Sequence, residues 1–282
     1  MSYLRRSTPL HAARSSAALA WCAALVLAAF TTSNPLVLGA LAVSILAAGA
    51  AAQVGRRVAR SLLLSLPMAL AIVVINALVA REGLTVVARL GDGGPFGQLD
   101  ITAEALAFGG EFALVLIVVM AVAALASAAI DPDEVLRSMR RVSFRSALTA
   151  TVATRLVPLL ALDARRSGEA QRCRPKPGGR LAVMRAIAGN ALDRSLDIAA
   201  TLEVRGYGSA RRPRRAPRAL SRHDIAFAGS AALVVALALA WPAHFSYYPT
   251  IRPGPVSHAI ALAAALSIAA LLPFTQRRGI ER

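Results

Sequence analysis

Residues 112–130, FALVLIVVMAVAALASAAI, form an unbroken apolar stretch without a single Asp, Glu, Lys or Arg. A helix rises ~1.5 Å per residue and a bilayer's hydrocarbon core is ~30 Å thick, so this stretch is long enough to cross it. Clustering of apolar residues distinguishes a membrane span better than average composition does. The stretch therefore predicts a transmembrane helix.

The same pattern recurs along the whole chain of 282 residues, which is 56% hydrophobic, only 17% charged and has a mean hydropathy of +0.57. Soluble domains rarely show this balance. We expect six transmembrane helices, at Ser15–Ser33, Pro35–Ala52, Leu62–Ala80, Phe112–Ile130, Ile225–Trp241 and Val256–Phe274. The predicted fold class is all-α: a polytopic membrane protein with about six transmembrane helices and two to three cytoplasmic coupling helices between the fourth and fifth.

The loop charges predict an orientation, because Lys and Arg stay in the cytoplasm during insertion. Basic residues cluster at three sites that six spans place on one side: Arg5, Arg6 and Arg14; Arg56, Arg57 and Arg60; and Arg277, Arg278 and Arg282. The acidic loop from Arg81 to Glu111 and the aromatic loop from Pro242 to Pro255 fall on the other side. In the aromatic loop, Trp241, Phe245, Tyr247 and Tyr248 suit a membrane interface.

We therefore expect a multi-pass protein of the plasma (inner) membrane with both termini in the cytoplasm. Basic residues also precede signal peptides, but no small-residue cleavage site stands apart from the first span, so we expect that span to be retained.

Most of the formal net charge of +17 lies between the fourth and fifth spans, where residues 137–222 hold 20 Lys and Arg against 5 Asp and Glu. The chain is thus predicted to have three parts: a membrane part at 1–130, a cytoplasmic coupling segment at 131–222 and a second membrane part at 223–282. Anionic membrane lipids attract basic side chains near the surface by ~1 kcal/mol each, so lipids are expected partners of the segment.

Helices are predicted throughout this segment. Asp131 and Pro132 suit the start of a short helix, and a second helix is expected from about Ser143 until the run Pro175-Lys-Pro-Gly-Gly179 breaks it. A third helix, about Leu181 to Arg205, is ended by Gly206 and Gly208. Both long helices have an apolar stripe.

Each long helix finishes in a charged tip, Gln171-Arg-Cys-Arg-Pro175 and Leu202-Glu-Val-Arg-Gly206, and the tip arginines Arg174 and Arg205 are 31 residues apart. One arginine in a last helical turn is explained by the helix dipole and the open carbonyl groups. Two similar tips on successive helices favour a further role, since a guanidinium is a rigid fork of donors for carboxylates. Such tips are suited to acidic grooves on two partner subunits.

No motif predicts catalysis, a cofactor or a metal site. A phosphate-binding loop needs a glycine-rich turn followed by Lys and Ser or Thr, and the single lysine, Lys176, lies between two prolines. The cysteines Cys22 and Cys173 have no neighbour at metal-ligand or redox-motif spacing, and the four histidines are scattered. The chain is therefore not expected to hydrolyse ATP or to be an enzyme.

Several stretches carry a family resemblance: Glu169–Arg174 and Leu202–Gly208 at the tips, Thr102–Gly109 before the fourth span, Asp131-Pro132 after it, and Arg155–Leu160. Together they resemble the transmembrane T-component of energy-coupling factor (ECF) transporters, the CbiQ/EcfT family, over nearly the whole chain.

The resemblance implies a non-catalytic scaffold with two partners: a pair of cytosolic ABC-type ATPases and a small membrane S-component that binds a vitamin or a transition-metal ion. Arg174 and Arg205 would enter the ATPase grooves. The flanking and supporting residues would be Cys173, Pro175, Val204, Gly206, Glu169, Gln171 and Glu203. The first tip departs from the family, which usually has small residues where Cys173 and Pro175 stand.

Two other classes of function remain as alternatives. A self-contained secondary transporter or channel usually keeps ionisable residues inside its spans, whereas all six predicted spans lack them; Asn76 and Pro67 are interpreted there as structural. A membrane-tethered protein that binds nucleic acid would need a reading module, and no such module is recognisable, so nucleic acid is not an expected partner.

Overall fold

The computed structural model describes residues 6–80, 83–90, 99–139, 144–173, 179–207, 220–241, 245–252 and 254–276. Their α-helices are α1 (Pro9–Ala12), α2 (Ser15–Thr31), α3 (Pro35–Ala51), α4 (Gly55–Val79), α5 (Ala103–Ala129), α6 (Pro132–Met139), α7 (Phe144–Arg172), α8 (Arg180–Val204), α9 (Arg222–Ala240) and α10 (Val256–Leu271). A 3-10 turn, Leu272–Thr275, follows α10. The all-α fold class is confirmed.

The chain forms two compact units. The first contains Met1–Val135 and Leu220–Arg282, and the second is Leu136–Ala219. The first unit also holds one antiparallel hairpin, β1 (Val86–Leu90) with β2 (Leu99–Thr102), whose pairing is irregular between Val86 and Ala88.

Every predicted span lies on a helix, namely α2, α3, α4, α5, α9 and α10. Three helices begin earlier than expected, α9 by three residues and two others by more. Helix α4 starts at Gly55 rather than Leu62, and α5 starts at Ala103 rather than Phe112. The charge-free stretch marks only the part of a helix that suits hydrocarbon, whereas the backbone hydrogen bonds continue through charged residues at its end. Glu104 and Glu111, assigned to a loop by the sequence, therefore belong to α5.

Five described helices are long and apolar enough to cross a membrane by length and composition: α4, α5, residues Ser146–Arg172 of α7, α9, and α10 with the turn after it. The expected number was about six, and the set differs. Helices α2 and α3 have 17 residues each, about 26 Å, at the short end of the spanning range. Helix α7, predicted as a coupling helix, qualifies because Arg155 is the only charged residue from Ser146 to Leu162.

An aromatic cluster marks the core of the first unit. Trp21 of α2, Phe227 of α9 and Phe274 of the last turn meet edge to face, with ring centroids 5.5–5.8 Å apart. Trp21 and Phe227 are fully buried. Edge-to-face pairs of this kind contribute about 0.5–1.5 kcal/mol beyond the area that they bury. The cluster therefore joins helices α2 and α9 to the 3-10 turn that follows α10.

Two loops of the first unit are fixed by hydrogen bonds: the segment just before β1 and the loop that contains Tyr247. The Glu104 carboxylate, 1% exposed, accepts a hydrogen bond from Thr85 Oγ1 at 2.6 Å and thereby fixes the hairpin to α5. The Tyr247 hydroxyl donates to the Ser33 carbonyl at 3.0 Å. Burial, together with the Glu111 carboxylate, raises the pKa of Tyr247, which keeps the phenol protonated as a donor. Tyr247 is 5% exposed, so it packs against the protein, and its place at the membrane interface stays a prediction.

Helices α4 and α5 approach each other closely at Gly109. A Cβ atom on Gly109 would lie 3.0 Å from both the Val73 Cα and the Asn76 Cβ, while one on Gly110 would meet nothing within 4 Å. Asn76 itself donates its side-chain amide to the Ile72 carbonyl at 3.0 Å. This contact within one helix agrees with its interpretation as a structural residue.

We expect Gly109→Ala to lower the melting temperature of the purified protein in detergent, because a backbone atom of α4 occupies the space that the new methyl group needs. Overpacking of this kind costs about 1–3 kcal/mol. Gly110→Ala is the matched control, with a small effect or a gain, since alanine is the better helix former. Equal melting temperatures for the two variants would contradict this packing.

Candidate functional site

Helices α7 and α8 form the second unit and pack against each other. An ion pair joins them: Arg194 Nη1 lies 3.1 Å from Asp163 Oδ2, with side chains 35% and 16% exposed. Both helices were predicted, from about Ser143 and over Leu181–Arg205, and both predictions are confirmed to within a residue or two for the described parts. The ion pair itself was missed. Its signal was present, since Asp163 is the first acid after Glu134 in a strongly basic segment.

The first tip is described only in part. Helix α7 ends at Arg172, and the Cys173 amide still donates to the Glu169 carbonyl at 3.3 Å. Cys173 is exposed and Gln171 half-buried. Arg174 and Pro175 lie outside the described residues, as does Lys176. The described helix thus ends two residues before the predicted contact arginine.

The second tip has a defined end. Gly206 adopts φ 75°, its amide donates to the Glu203 carbonyl at 2.9 Å, and the Tyr207 amide donates to the Leu202 carbonyl at 2.8 Å. These two bonds make a Schellman motif, which needs a left-handed residue that glycine supplies without a Cβ clash. Arg205 is the C-cap directly before that glycine. The motif therefore fixes the point where the helix stops and Arg205 projects.

The surroundings of this tip are open. Val204 is 89% exposed, and Glu203 and Arg205 are exposed as well. Within the described residues, the Arg205 guanidinium has no ion pair or side-chain hydrogen bond. An arginine at a C-cap complements the helix dipole, which accounts for the charge but not for the exposed valine beside it. The tip therefore presents one cation and one apolar side chain outward together.

The second unit also exposes apolar side chains along the bodies of its helices. Those with more than two fifths of their surface exposed are Val157, Leu159, Leu162, Leu181, Met184, Leu192 and Leu196. Leu181, Met184 and Leu192 belong to the stripe that the sequence predicts on α8. The described part of the chain therefore leaves these three side chains uncovered, and their apolar surface is available to lipid or to another protein.

The described side chains do not form a metal site. In the part of the chain that the structure describes, no cluster of three or more His, Cys, Asp or Glu residues could hold a metal ion. Both cysteines are free thiols, Cys22 buried and Cys173 exposed.

Comparison with known families gives one match. The family model described as CbiQ, cobalt transport protein, matches residues 6–215. The matched range contains α2 to α8 and both tips. No curated protein matches the chain.

The Asp163–Arg194 ion pair should make a small contribution to the pairing of α7 and α8. We expect Asp163→Asn to speed limited proteolysis of the second unit only a few-fold, because half-exposed ion pairs are worth about 1 kcal/mol or less. The charge swap Asp163→Arg with Arg194→Asp should recover part of the loss. Asp193→Asn, an exposed neighbour on α8, is the control; equal cleavage in all variants would assign no pairing role to Asp163.

Proposed function

The chain belongs to the CbiQ family of cobalt transport proteins, and on that premise we propose that it is the transmembrane coupling subunit, or T-component, of an ECF-type ABC importer. As a multi-pass member of a transport family it is a component of a transport system. The proposal goes further. Two cytosolic ATPases would drive this subunit, and it would pass their motion to a membrane S-component that takes up a vitamin or a transition-metal ion such as cobalt.

The observation that carries the proposal is the tip of α8. A Schellman motif stops the helix at Arg205, whose guanidinium has no partner in the described part of the chain, and Val204 beside it is 89% exposed. Paired donors on a guanidinium match a carboxylate in two-point contact, and arginine with an apolar neighbour is typical of an interface centre. An acidic groove with an apolar wall on an ATPase would complement this surface.

Arg174 would make the equivalent contact with the second ATPase. It follows α7 as Arg205 follows α8, and the two arginines are 31 residues apart in the sequence. Glu169, Gln171 and Glu203 would support the tips, while Cys173, Pro175 and Gly206 would flank the arginines. Cys173 and Pro175 replace the small residues usual in the family, so the first contact would differ in detail from the second.

The exposed apolar stripes of α7 and α8 support the other half of the proposal. A face that includes Leu181, Met184 and Leu192 needs cover, and a membrane-embedded S-component would supply it. The substrate would then be chosen by that subunit rather than by this chain. In this arrangement the protein lies in the plasma membrane with both termini in the cytoplasm, where its basic loops meet anionic lipids.

The double variant Arg174→Ala with Arg205→Ala should insert into the membrane at the normal level but lose co-purification with the ATPases. Truncation of a central interface arginine costs about 2 kcal/mol or more, roughly 30-fold in affinity for each site. Arg185→Ala is the matched control, because it removes one exposed charge from the body of α8.

Retained assembly and uptake in the double variant would overturn the proposal. So would solute transport by the purified chain alone in liposomes, which is the behaviour expected of a self-contained transporter.

A further inference from the structure

The chain leaves the first unit at Val135 and returns to it at Leu220. A carboxylate lies next to each of these crossings: Glu134 in the first turn of α6, and Asp224 in the first turn of α9. Asp224 contacts Arg14 and Glu134 contacts Ser15, and these two consecutive residues lie at the start of α2. The start of one helix thus holds both ends of the inserted segment.

Asp224 is 3% exposed and uses both of its oxygens. Oδ1 accepts the Arg14 backbone N–H at 2.6 Å. Oδ2 lies 3.1 Å from Arg14 Nε and accepts the Ser221 backbone N–H at 2.9 Å. One buried charge is therefore paired with a cation, hydrogen-bonded at each oxygen and placed at the positive ends of two helices, α2 and α9, which favours a buried carboxylate.

The second contact is made by Ser15, whose hydroxyl donates to Glu134 Oε2 at 2.8 Å. Ser15 is 3% exposed, so this bond to a charged acceptor is shielded from water and stronger than a surface bond. Helix α2 is fixed in turn by Trp21, two turns further on, in the aromatic cluster with Phe227 and Phe274. Both crossings are therefore bonded to one of the most firmly packed helices of the bundle.

Helix packing alone does not require this arrangement. The start of α9 already has a complete capping box between Ser221 and Asp224, which satisfies its first turn without Arg14. The bond from Arg14 is an addition that joins α9 to α2. The bond from Ser15 likewise reaches α6 beyond the end of the membrane helix that precedes it.

We propose that Arg14 and Ser15 form a clamp that fixes both crossings of the coupling segment to α2, so that displacement of residues 136–219 is passed to the membrane helices. Without the clamp, the residues at the two crossings would move relative to α2 and absorb the displacement. The transmission part rests on the proposed function, while the mechanical part is a property of this chain. Arg14, Ser15, Glu134 and Asp224 are accordingly positioning residues.

The transmission part is tested in the complete transporter, reconstituted with its ATPases and S-component. Ser15→Ala should leave assembly and ATP hydrolysis in place but lower substrate uptake per ATP hydrolysed, on the order of tenfold, which is the shift that loss of one charge-assisted hydrogen bond gives. Ser230→Ala is the matched control: Ser230 is also 3% exposed and donates to the Ala269 carbonyl at 2.6 Å, but it joins α9 to α10 away from the crossings.

An unchanged uptake per ATP in Ser15→Ala, or an equal loss in Ser230→Ala, would overturn the transmission role. Glu134→Ala should reproduce the effect of Ser15→Ala. Since Glu134 is only half-buried, this variant removes the same bond without leaving a buried cavity.

The mechanical part is tested on the chain alone in nanodiscs, with spin labels on the exposed Cys173 and on Arg60→Cys, and the distance distribution measured by pulsed electron resonance. We expect a broader distribution for Ser15→Ala and Asp224→Asn than for the parent and Ser230→Ala. Equal widths in all four would overturn the clamp, whether or not the ATPases bind. Failure of the parent to bind ATPases would instead count against the proposed function, and the widths would still decide the clamp.

Discussion

Hydrocarbon offers no hydrogen-bond partner to a peptide group, and this constraint shapes most of the molecule. An unpaired backbone group in a bilayer costs several kcal/mol, so a crossing segment must satisfy its backbone internally. The six apolar blocks accordingly form helices. The hairpin of β1 and β2 lies between α4 and α5 in the sequence, outside the apolar blocks. Helix α4 shows the other consequence: Leu64 and Val79, each more than 70% exposed, face outward because lipid takes the place of a protein core.

Apolar surface cannot decide how such helices pair, because lipid solvates it as well as protein does. Shape and a few polar bonds decide instead. The bare backbone at Gly109 lets α4 and α5 approach, and the Ser230 hydroxyl reaches from α9 to the Ala269 carbonyl of α10. The charges follow the same rule. Acids are scarce in this chain, 15 against 32 Lys and Arg, and Glu104, Asp163 and Asp224 each bind a partner from another element.

The sequence predicts the spans well because a charge-free stretch is a local property that lipid demands directly. Helix ends are predicted less well. The charge-free stretch begins at Phe112, whereas α5 begins at Ala103, where Thr102 caps it by accepting the Ala105 N–H and Thr85 donates to the buried Glu104 carboxylate. The bond from the Tyr247 hydroxyl to the Ser33 carbonyl was not predicted, because the two residues are distant in sequence. The end of α8 was predictable because Gly206 is itself the residue that the left-handed turn requires. The sequence pattern does not reveal hydrogen bonds between residues that are distant in the sequence.

In the proposed function, transmission of force would set two separate requirements on the chain, and a different kind of contact would meet each. The moving segment must hold its shape, and the Asp163–Arg194 pair, partly screened by water, contributes modestly to that. The attachment of this segment must be rigid, and there Asp224 is buried with both of its carboxylate oxygens in contact with Arg14. When elastic parts are connected in series, the most compliant part takes up most of the displacement. A stiff attachment and a more compliant helix pair would therefore let the two tips adjust to two ATPases while the bundle still feels their motion.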